Sequence, residues 1–410
     1  MLPKKKILIL TADTGFGHRS AATAIAAAIP DNCGLSYECQ IINPVDDPRA
    51  PEIIRRPQVD YDWTIQNHPG AYRLSYRISD SNVASMVVQE FIADLMVPLF
   101  QDILKTYRPD AVISTYPLYN AALGLALQRN NLDIPFFVII TNLAHVHHAW
   151  FQPGPDKFFV ATEEARREAV LSDVPPKDVL VTGLPVDPRI VHEKRSKTAL
   201  RQSLGWNPDL LTVLVVGSKR VKDLFDKLEV INTFDDPLQL VIVAGGNEAL
   251  FQTARAARWN IPIFCYNYVR NLPQMLHAAD LLIAKAGGLI TSEALACGLP
   301  IIFTEALPGQ ETGNVEYVRK HSAGMIAKTP ADLKETLSAW IKKDGTVLAE
   351  FTRNARALGK PNAAYQITRE VWKAISERDR RRVGEIVIQS QELGALVWES
   401  KWHFYSTLDS

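Results

Sequence analysis

The sequence is poor in three things, and each shortage removes a class of function. It has no excess of positive charge: Lys and Arg total 45, Asp and Glu total 45, and the formal net charge is zero. A dedicated nucleic-acid binder carries a basic surplus, so no nucleic-acid partner is expected; a local basic patch against an anionic membrane surface stays open. Cysteine is scarce: four residues, Cys33, Cys39, Cys265 and Cys297, too few and too scattered for a disulfide framework. Cys33 and Cys39 are near enough to pair but read as free thiols, and Cys265 and Cys297 as small core residues. There is no C-x-x-C or H-x-x-x-H spacing of a metal site. Long apolar runs are also missing. Lys4-Lys5-Lys6 precedes only four apolar residues, Ile7–Leu10, before polar Thr11-Ala12-Asp13; this is a buried strand and not the apolar region of a signal peptide. No run approaches a membrane span. A cytoplasmic location is expected, with peripheral contact if the substrate is a lipid.

What is abundant is apolar sequence cut into short pieces. The chain has 410 residues, 47% of them hydrophobic, enough for two cores rather than one. Runs of β-branched and aliphatic residues at Ile7–Leu10, Ala111–Ser114, Phe136–Ile140, Lys157–Val160 and Val179–Thr182 alternate with helical patterns such as Ser20–Ile29 and Asn120–Gln128. After Gly183-Leu184-Pro185-Val186-Asp187-Pro188 and the polar stretch His192–Thr198, a second series starts: Leu211–Val216, Leu238–Val243, Ile261–Phe264, Leu281–Ala284 and Pro300–Phe303. Such runs are strands buried on both faces, and the alternation is that of parallel sheets with crossover helices. The fold class is therefore α/β: two doubly wound, Rossmann-like domains facing a cleft. The domains are placed at 1–190 and 191–360 with a hinge near 186–205, and the helical tail 361–410 is expected to pack back on the first domain. The tail aromatics Trp398, Trp402, Phe404 and Tyr405 read as packing residues.

In open α/β sheets ligands bind outside the carboxyl ends of the strands, and two Gly-rich turns lie there. The first is Lys285-Ala286-Gly287-Gly288-Leu289-Ile290-Thr291-Ser292-Glu293, entered from the strand Leu281–Ala284. The glycines permit close backbone approach, and free amides at the positive end of a helix favour a phosphate. Glu293, in the first turn, is placed to accept bonds from ribose hydroxyls. A plain strand–turn–helix is the alternative for this segment taken alone. One strand later, Gln310, Glu311 and Asn314 follow Pro308-Gly309 and offer the mix of donors and acceptors that binds sugar hydroxyls.

The second turn is Asp13-Thr14-Gly15-Phe16-Gly17-His18-Arg19. As a dinucleotide fingerprint it lacks the third glycine. A histidine at a helix start sits at the dipole end that disfavours its charged form. A neutral imidazole can take a proton from a hydroxyl, so His18 is either a general base or a helix cap.

Both turns resemble the family 28 glycosyltransferases, in particular the monogalactosyldiacylglycerol synthases and bacterial diacylglycerol glucosyltransferases. The pattern "K-x-G-G/P-x-T-x-x-E-A", "G-L-P", "P/A-G-Q-E-x-x-N" is met by Lys285, Gly287, Gly288, Glu293, Ala294, Gly298-Leu299-Pro300, Gly309-Gln310-Glu311 and Asn314. "D-T-G-G-G-H-R-A-S-A-x-A-I" is met by Asp13 to Ile25, with Phe16 in place of a glycine. The resemblance implies the two-domain fold known as GT-B and an inverting transferase that moves a hexose from a uridine diphosphate (UDP) sugar to a lipid, diacylglycerol first. Gly287, Gly288 and Leu289 would hold the diphosphate, Glu293 the ribose, Gln310 and Glu311 the sugar with Asn314 beside them, and Val269 the base. His18 would be the acceptor-side base, with Asp13, Gly15, Gly17, His147 and Trp150 around the acceptor. Tyr116 and Asn142 stand where the family has His and Asp.

No metal or other cofactor is expected; the UDP-sugar is a co-substrate. The cluster His145, His147 and His148 has no completing carboxylate, and Asp60-Tyr61-Asp62 has no preceding apolar strand. The long segment Pro44–Asp80 mixes Arg49, Arg55, Arg56, Arg73 and Arg77 with Trp63, Tyr72 and Tyr76, a composition suited to an anionic headgroup layer or to a solvated loop. The competing readings are a transferase acting on a lipid-linked peptidoglycan precursor, a UDP-sugar epimerase on the same fold, and a protein that binds the nucleotide-sugar without turning it over.

Overall fold

The computed structural model describes residues 4–13, 16–33, 37–52, 54–55, 82–219, 221, 223–307, 309, 311–342 and 345–381, with the side chains of 16, 33 and 82–89 excepted. Gly15, Gln310, Asp60-Tyr61-Asp62, most of Pro44–Asp80 and the tail aromatics from Trp398 onward lie outside the described residues.

The chain folds around two six-stranded sheets, all of whose pairings are parallel. The first holds β1 (Lys5–Leu10), β2 (Tyr37–Ile42), β3 (Ala111–Ser114), β4 (Phe136–Ile139), β5 (Lys157–Val160) and β6 (Val179–Val181), in the order β2-β1-β3-β4-β5-β6. Between them run α1 (Phe16–Cys33), α2 (Asn82–Tyr107), α3 (Asn120–Arg129) and α4 (Glu163–Leu171). Two short helices, α5 (Arg189–His192) and α6 (Lys197–Leu204), lead on to the second sheet. That sheet holds β7 (Leu211–Val216), β8 (Leu238–Val243), β9 (Ile263–Tyr266), β10 (Leu281–Lys285), β11 (Ile301–Glu305) and β12 (Gly324–Ile326), in the order β12-β11-β10-β7-β8-β9. Its helices are α7 (Leu224–Glu229), α8 (Glu248–Ala256), α9 (Leu272–Ala278), α10 (Gly288–Ala296), α11 (Thr312–Lys320), α12 (Pro330–Trp340) and α13 (Thr346–Leu358).

The strand orders fix where a ligand can sit. In the first sheet the connections run outward in opposite directions from β1 and β3, and in the second from β7 and β10. These are topological switch points, where neighbouring loops diverge and leave a crevice at the carboxyl edge. The middles of these strands are apolar because helices cover both faces: β3 is wholly buried, β1 is buried from Ile7 to Leu10, and β10 from Leu281 to Ala284.

Two strands are absent from the sequence reading. β2 alternates half-buried and exposed residues at a sheet edge, so its period is that of a one-sided strand. β12 is only three residues long. β9 begins at Ile263 and not at Ile261; Pro262 has no amide hydrogen for the ladder and only accepts a bond, from Leu240 N at 2.9 Å.

The tail does return to the first sheet. A helix over 363–381, α14, lays Ile367, Val371 and Ile375 onto Ile7, Ile9, Ile25, Phe137, Ile139 and Phe159. Lys5 bonds Asp379 at 2.8 Å, and Arg378 bonds Asp156 at 2.9 Å. The two chain crossings between the sheets touch each other: at Gly183, with φ +90°, a Cβ would stand 2.3 Å from Lys360 Cβ. There only glycine fits. Ile367 is fully buried under the first sheet, so Ile367→Ala is expected to cost roughly 2–4 kcal/mol, read as a lowered midpoint in urea unfolding.

Candidate active site

The two carboxyl edges face each other across a cleft of about 750 Å³, lined from the first half by Gly17, His18, Thr141 and Asn142 and from the second by the ends of β7, β8 and β10 and the starts of α10 and α11.

On the acceptor side the chain builds one tightly held imidazole. Thr115, fully buried just after β3, donates its hydroxyl towards Leu10 O and His18 O, both at 3.2 Å. The same residue's carbonyl lies 2.6 Å from His18 Nδ1. A carbonyl can only accept, so Nδ1 carries the hydrogen, and in the neutral ring Nε2 carries the lone pair. Thr141 Oγ1 stands 3.2 Å from the same Nδ1. Tyr116 meets the ring edge-on at 5.1 Å between centroids, and Trp150 lies at 6.0 Å. Tyr116, in the position where the family resemblance has His, therefore packs against His18.

On the opposite side Gly287 caps α10 and Gly288 begins it, so the first amides of that helix open into the cleft. Contact with the first half is close: a Cβ on Gly288 would come 2.7 Å from Thr141 O, and one on Gly313 would come 2.5 Å from Ala144 O. Asn314 lines the cleft, but its amide is engaged across the same seam. Oδ1 accepts from Leu143 N at 3.2 Å and Nδ2 donates to Ala286 O at 2.8 Å. Asn314 thus also acts as a brace between the halves. Glu311 is also held: Lys285 Nζ pairs with Oε1, and Leu307 N donates to Oε2 at 2.8 Å. Val269 and Leu289 line the cleft as well.

Glu293 faces the cleft without a hydrogen bond from its carboxyl among the described residues. Burial, and then the Asp187 carboxylate beside it, push its carboxyl up to about 8, while Arg189 opposes the shift. Asp187 and Arg189 come from the segment linking the sheets. Arg189 holds Asp187 in a bidentate pair and donates to Arg270 O at 2.8 Å, beside Val269. Neither residue was among the sequence candidates, nor were Gly217, Lys219 and Gly245, which also line the cleft. The glycines had a readable signal, since each directly follows a strand run, in Val-Val-Gly-Ser and Val-Ala-Gly-Gly.

Three acceptor-side expectations are corrected. Asp13 is taken up by Arg19 in a bidentate pair at 2.8 and 2.7 Å and does not line the cleft. His147 turns its ring back to accept from Ala149 N at 3.0 Å, capping a short helical turn. Trp150 is buried against His18 and is a backing wall. The clustered histidines do not converge on a metal site: among the described residues no three His, Cys, Asp or Glu side chains are grouped to hold an ion.

Two such sheets facing a cleft define a fold class, the two-domain GT-B type. The fold agrees with solved structures that share little sequence. MurG of Acinetobacter baumannii superposes with a TM-score of 0.58 at 18% identity, over 90% of this chain and all of that one. UDP-GlcNAc 2-epimerase of Neisseria meningitidis, solved with UDP-GlcNAc bound, superposes at 0.58 and 14% identity over 90% of this chain and 100% of its own. Sequence narrows the class. Residues 18–186 match the monogalactosyldiacylglycerol (MGDG) synthase family model, and residues 196–358 match that of the glycosyl transferases group 1. Monogalactosyldiacylglycerol synthase 1, chloroplastic, of Arabidopsis thaliana is 29% identical over 391 residues, covering 92% of this chain and 72% of that protein. The chain is a sugar-transferring enzyme whose first half matches the monogalactosyldiacylglycerol synthase model and whose second half matches that of the glycosyl transferases group 1.

The raised carboxyl of Glu293 has a pH consequence. The folded chain keeps a proton that the unfolded chain releases between about pH 4.5 and pH 8. Stability therefore falls as pH rises through that window. Glu293→Gln, which keeps the neutral shape, should gain a few degrees in melting temperature on the wild type at pH 8.5 and little at pH 5.5. An equal difference at both pH values would contradict the assignment.

Proposed function

We propose that the enzyme moves a hexose from a UDP-sugar to the free hydroxyl of diacylglycerol with inversion at the anomeric carbon. The observation that carries this reading is His18. Its Nδ1 is tied to the Thr115 carbonyl, and it lines the same cleft as the glycine-started helix α10. Nε2 takes the hydroxyl proton. The acceptor oxygen bonds to the anomeric carbon from the face opposite the diphosphate, and the bond from that carbon to the diphosphate oxygen breaks, releasing UDP. The amides of Gly287–Leu289 and the N-terminal end of α10 stabilise the charge on the leaving group without a metal.

The donor class is supported by a neighbour of the same fold that holds UDP-GlcNAc, and sugar transfer by the synthase model that the first half matches. Glu293 is assigned to the ribose because it lines the same cleft as Gly287 and Val269. The lipid acceptor is supported by the matched synthases. Among the described residues no helix is long and apolar enough to cross a membrane, so the acceptor would be met at the bilayer surface. The segment around Pro44–Asp80 is a candidate for that contact. Within its described part, however, Arg49 is already paired with Asp47 and Asp102, each at 2.7 Å.

The test is incubation with labelled UDP-glucose and UDP-galactose, with and without diacylglycerol vesicles, in the presence of a chelator. Label should enter the lipid phase only when diacylglycerol is present. Label that remains in the aqueous phase as an epimerised nucleotide-sugar, or transfer only to a lipid-linked peptidoglycan precursor, would replace this reading. His18→Ala should slow transfer by roughly 10²–10⁴-fold and leave UDP affinity within a small factor. Unchanged turnover would remove His18 from the mechanism.

A further inference from the structure

The mechanism above leaves one buried ion pair unexplained. Lys285 ends β10, where the register with β11 shifts, so that its backbone partner is Glu305. Its ammonium pairs with Glu311 at the start of α11, and the two side chains are only 15% and 8% exposed. Glu311 is fixed from its other oxygen by Leu307 N. Both residues line the cleft, and a Cβ on Gly287 would be 3.9 Å from Glu311 Oε1. A fixed carboxylate therefore stands beside the turn assigned to the diphosphate. Two like charges in a half-buried cleft repel strongly.

Resting on the UDP-sugar reading, we propose that Lys285 is a positioning residue for the transferred sugar, acting through Glu311. It holds Glu311 immobile, so that the remaining lone pairs accept from sugar hydroxyls, and it cancels the charge that Glu311 would otherwise present to the diphosphate. Lys285 is thus neither the grip on the phosphates nor a mere core ion pair. A residue that gripped the diphosphate would contribute equally to UDP and to UDP-sugar and would act independently of Glu311.

A double-mutant cycle separates these roles. Lys285→Met, Glu311→Gln and the double variant are compared with the wild type for kcat and KM with the UDP-sugar and for the inhibition constant of UDP. Thermal unfolding confirms that each is folded. Lys285→Met should raise the donor KM about 10–100-fold and weaken UDP. In the double variant the repelling charge is gone, so UDP should return to within about threefold of wild type, and donor kcat/KM should equal that of Glu311→Gln alone. Lys285→Arg should restore most of the activity. If Lys285→Met does not fold, Lys285→Gln takes its place in the cycle. Losses that multiply in the double variant, a UDP constant that stays weak there, or a Lys285→Met enzyme with wild-type kinetics would each overturn the proposal. Failure of the wild type to bind UDP at all would instead overturn the donor reading on which it rests.

Discussion

The seam between residues 141–144 and the starts of α10 and α11 sets the distance at which the two halves of the cleft can work together. Main-chain carbonyls of Thr141 and Ala144 press against Gly288 and Gly313, where any Cβ would clash. Between these contacts Asn314 spans from Leu143 N to Ala286 O. A buried amide whose two ends are both bonded is a demanding connection, because loss of either partner leaves an unsatisfied polar group. The seam therefore favours one arrangement of the halves. In it Thr141 carries two contacts: its hydroxyl lies against His18 Nδ1, and its carbonyl lies against Gly288. The proposed base and the proposed leaving-group site are separated by a single residue.

That economy follows from topology. Each sheet winds outward from a switch point, and each switch point leaves one loop pair that no crossover helix covers. In the first sheet the pair is the turn into α1 and the residue after β3, so His18 and Thr115 meet without any long-range design beyond strand order. In the second it is Gly217 after β7 and Gly287 after β10. Backbone groups thereby do much of the placing: Thr115 O sets the tautomer of His18, and the amides at the start of α10 face the cleft.

How much of this was legible in the sequence depended on whether a feature was local. The parallel α/β architecture was legible because strands such as Val-Ile-Val at 241–243 are apolar on both faces. The edge strand β2 was missed because none of its residues is fully buried and Glu38 and Gln40 face solvent. Gly287, Gly288, Leu289, Glu293 and Glu311 could be named as one group because a strand–glycine–helix unit followed by a polar turn lies within thirty residues. Long-range pairings were not legible, and some short ones were hidden too: Asp13 is claimed by Arg19, and His147 folds back on its own helical turn. The amide of Asn314 reads as a sugar ligand, and its part as a brace shows only with the partner 171 positions away. Asp187 and Arg189 were hidden for the same reason, in a stretch that reads as a plain linker.

Those two linker residues change what the connection between the halves does. A passive hinge would be solvated and remote from chemistry. Here Arg189 reaches the carbonyl of Arg270 in the segment beside Val269, and Asp187 raises the affinity of Glu293 for its proton. Any rotation of the halves about this linker would strain the base segment and change the charge around Glu293 together. The other crossing, at Lys360, is wedged against Gly183, and Tyr365 just beyond it bonds Asp31 at 2.9 Å and His192 at 2.6 Å. The two crossings are thus fastened to each other and to α1. Any opening of the cleft would have to bend both crossings at once.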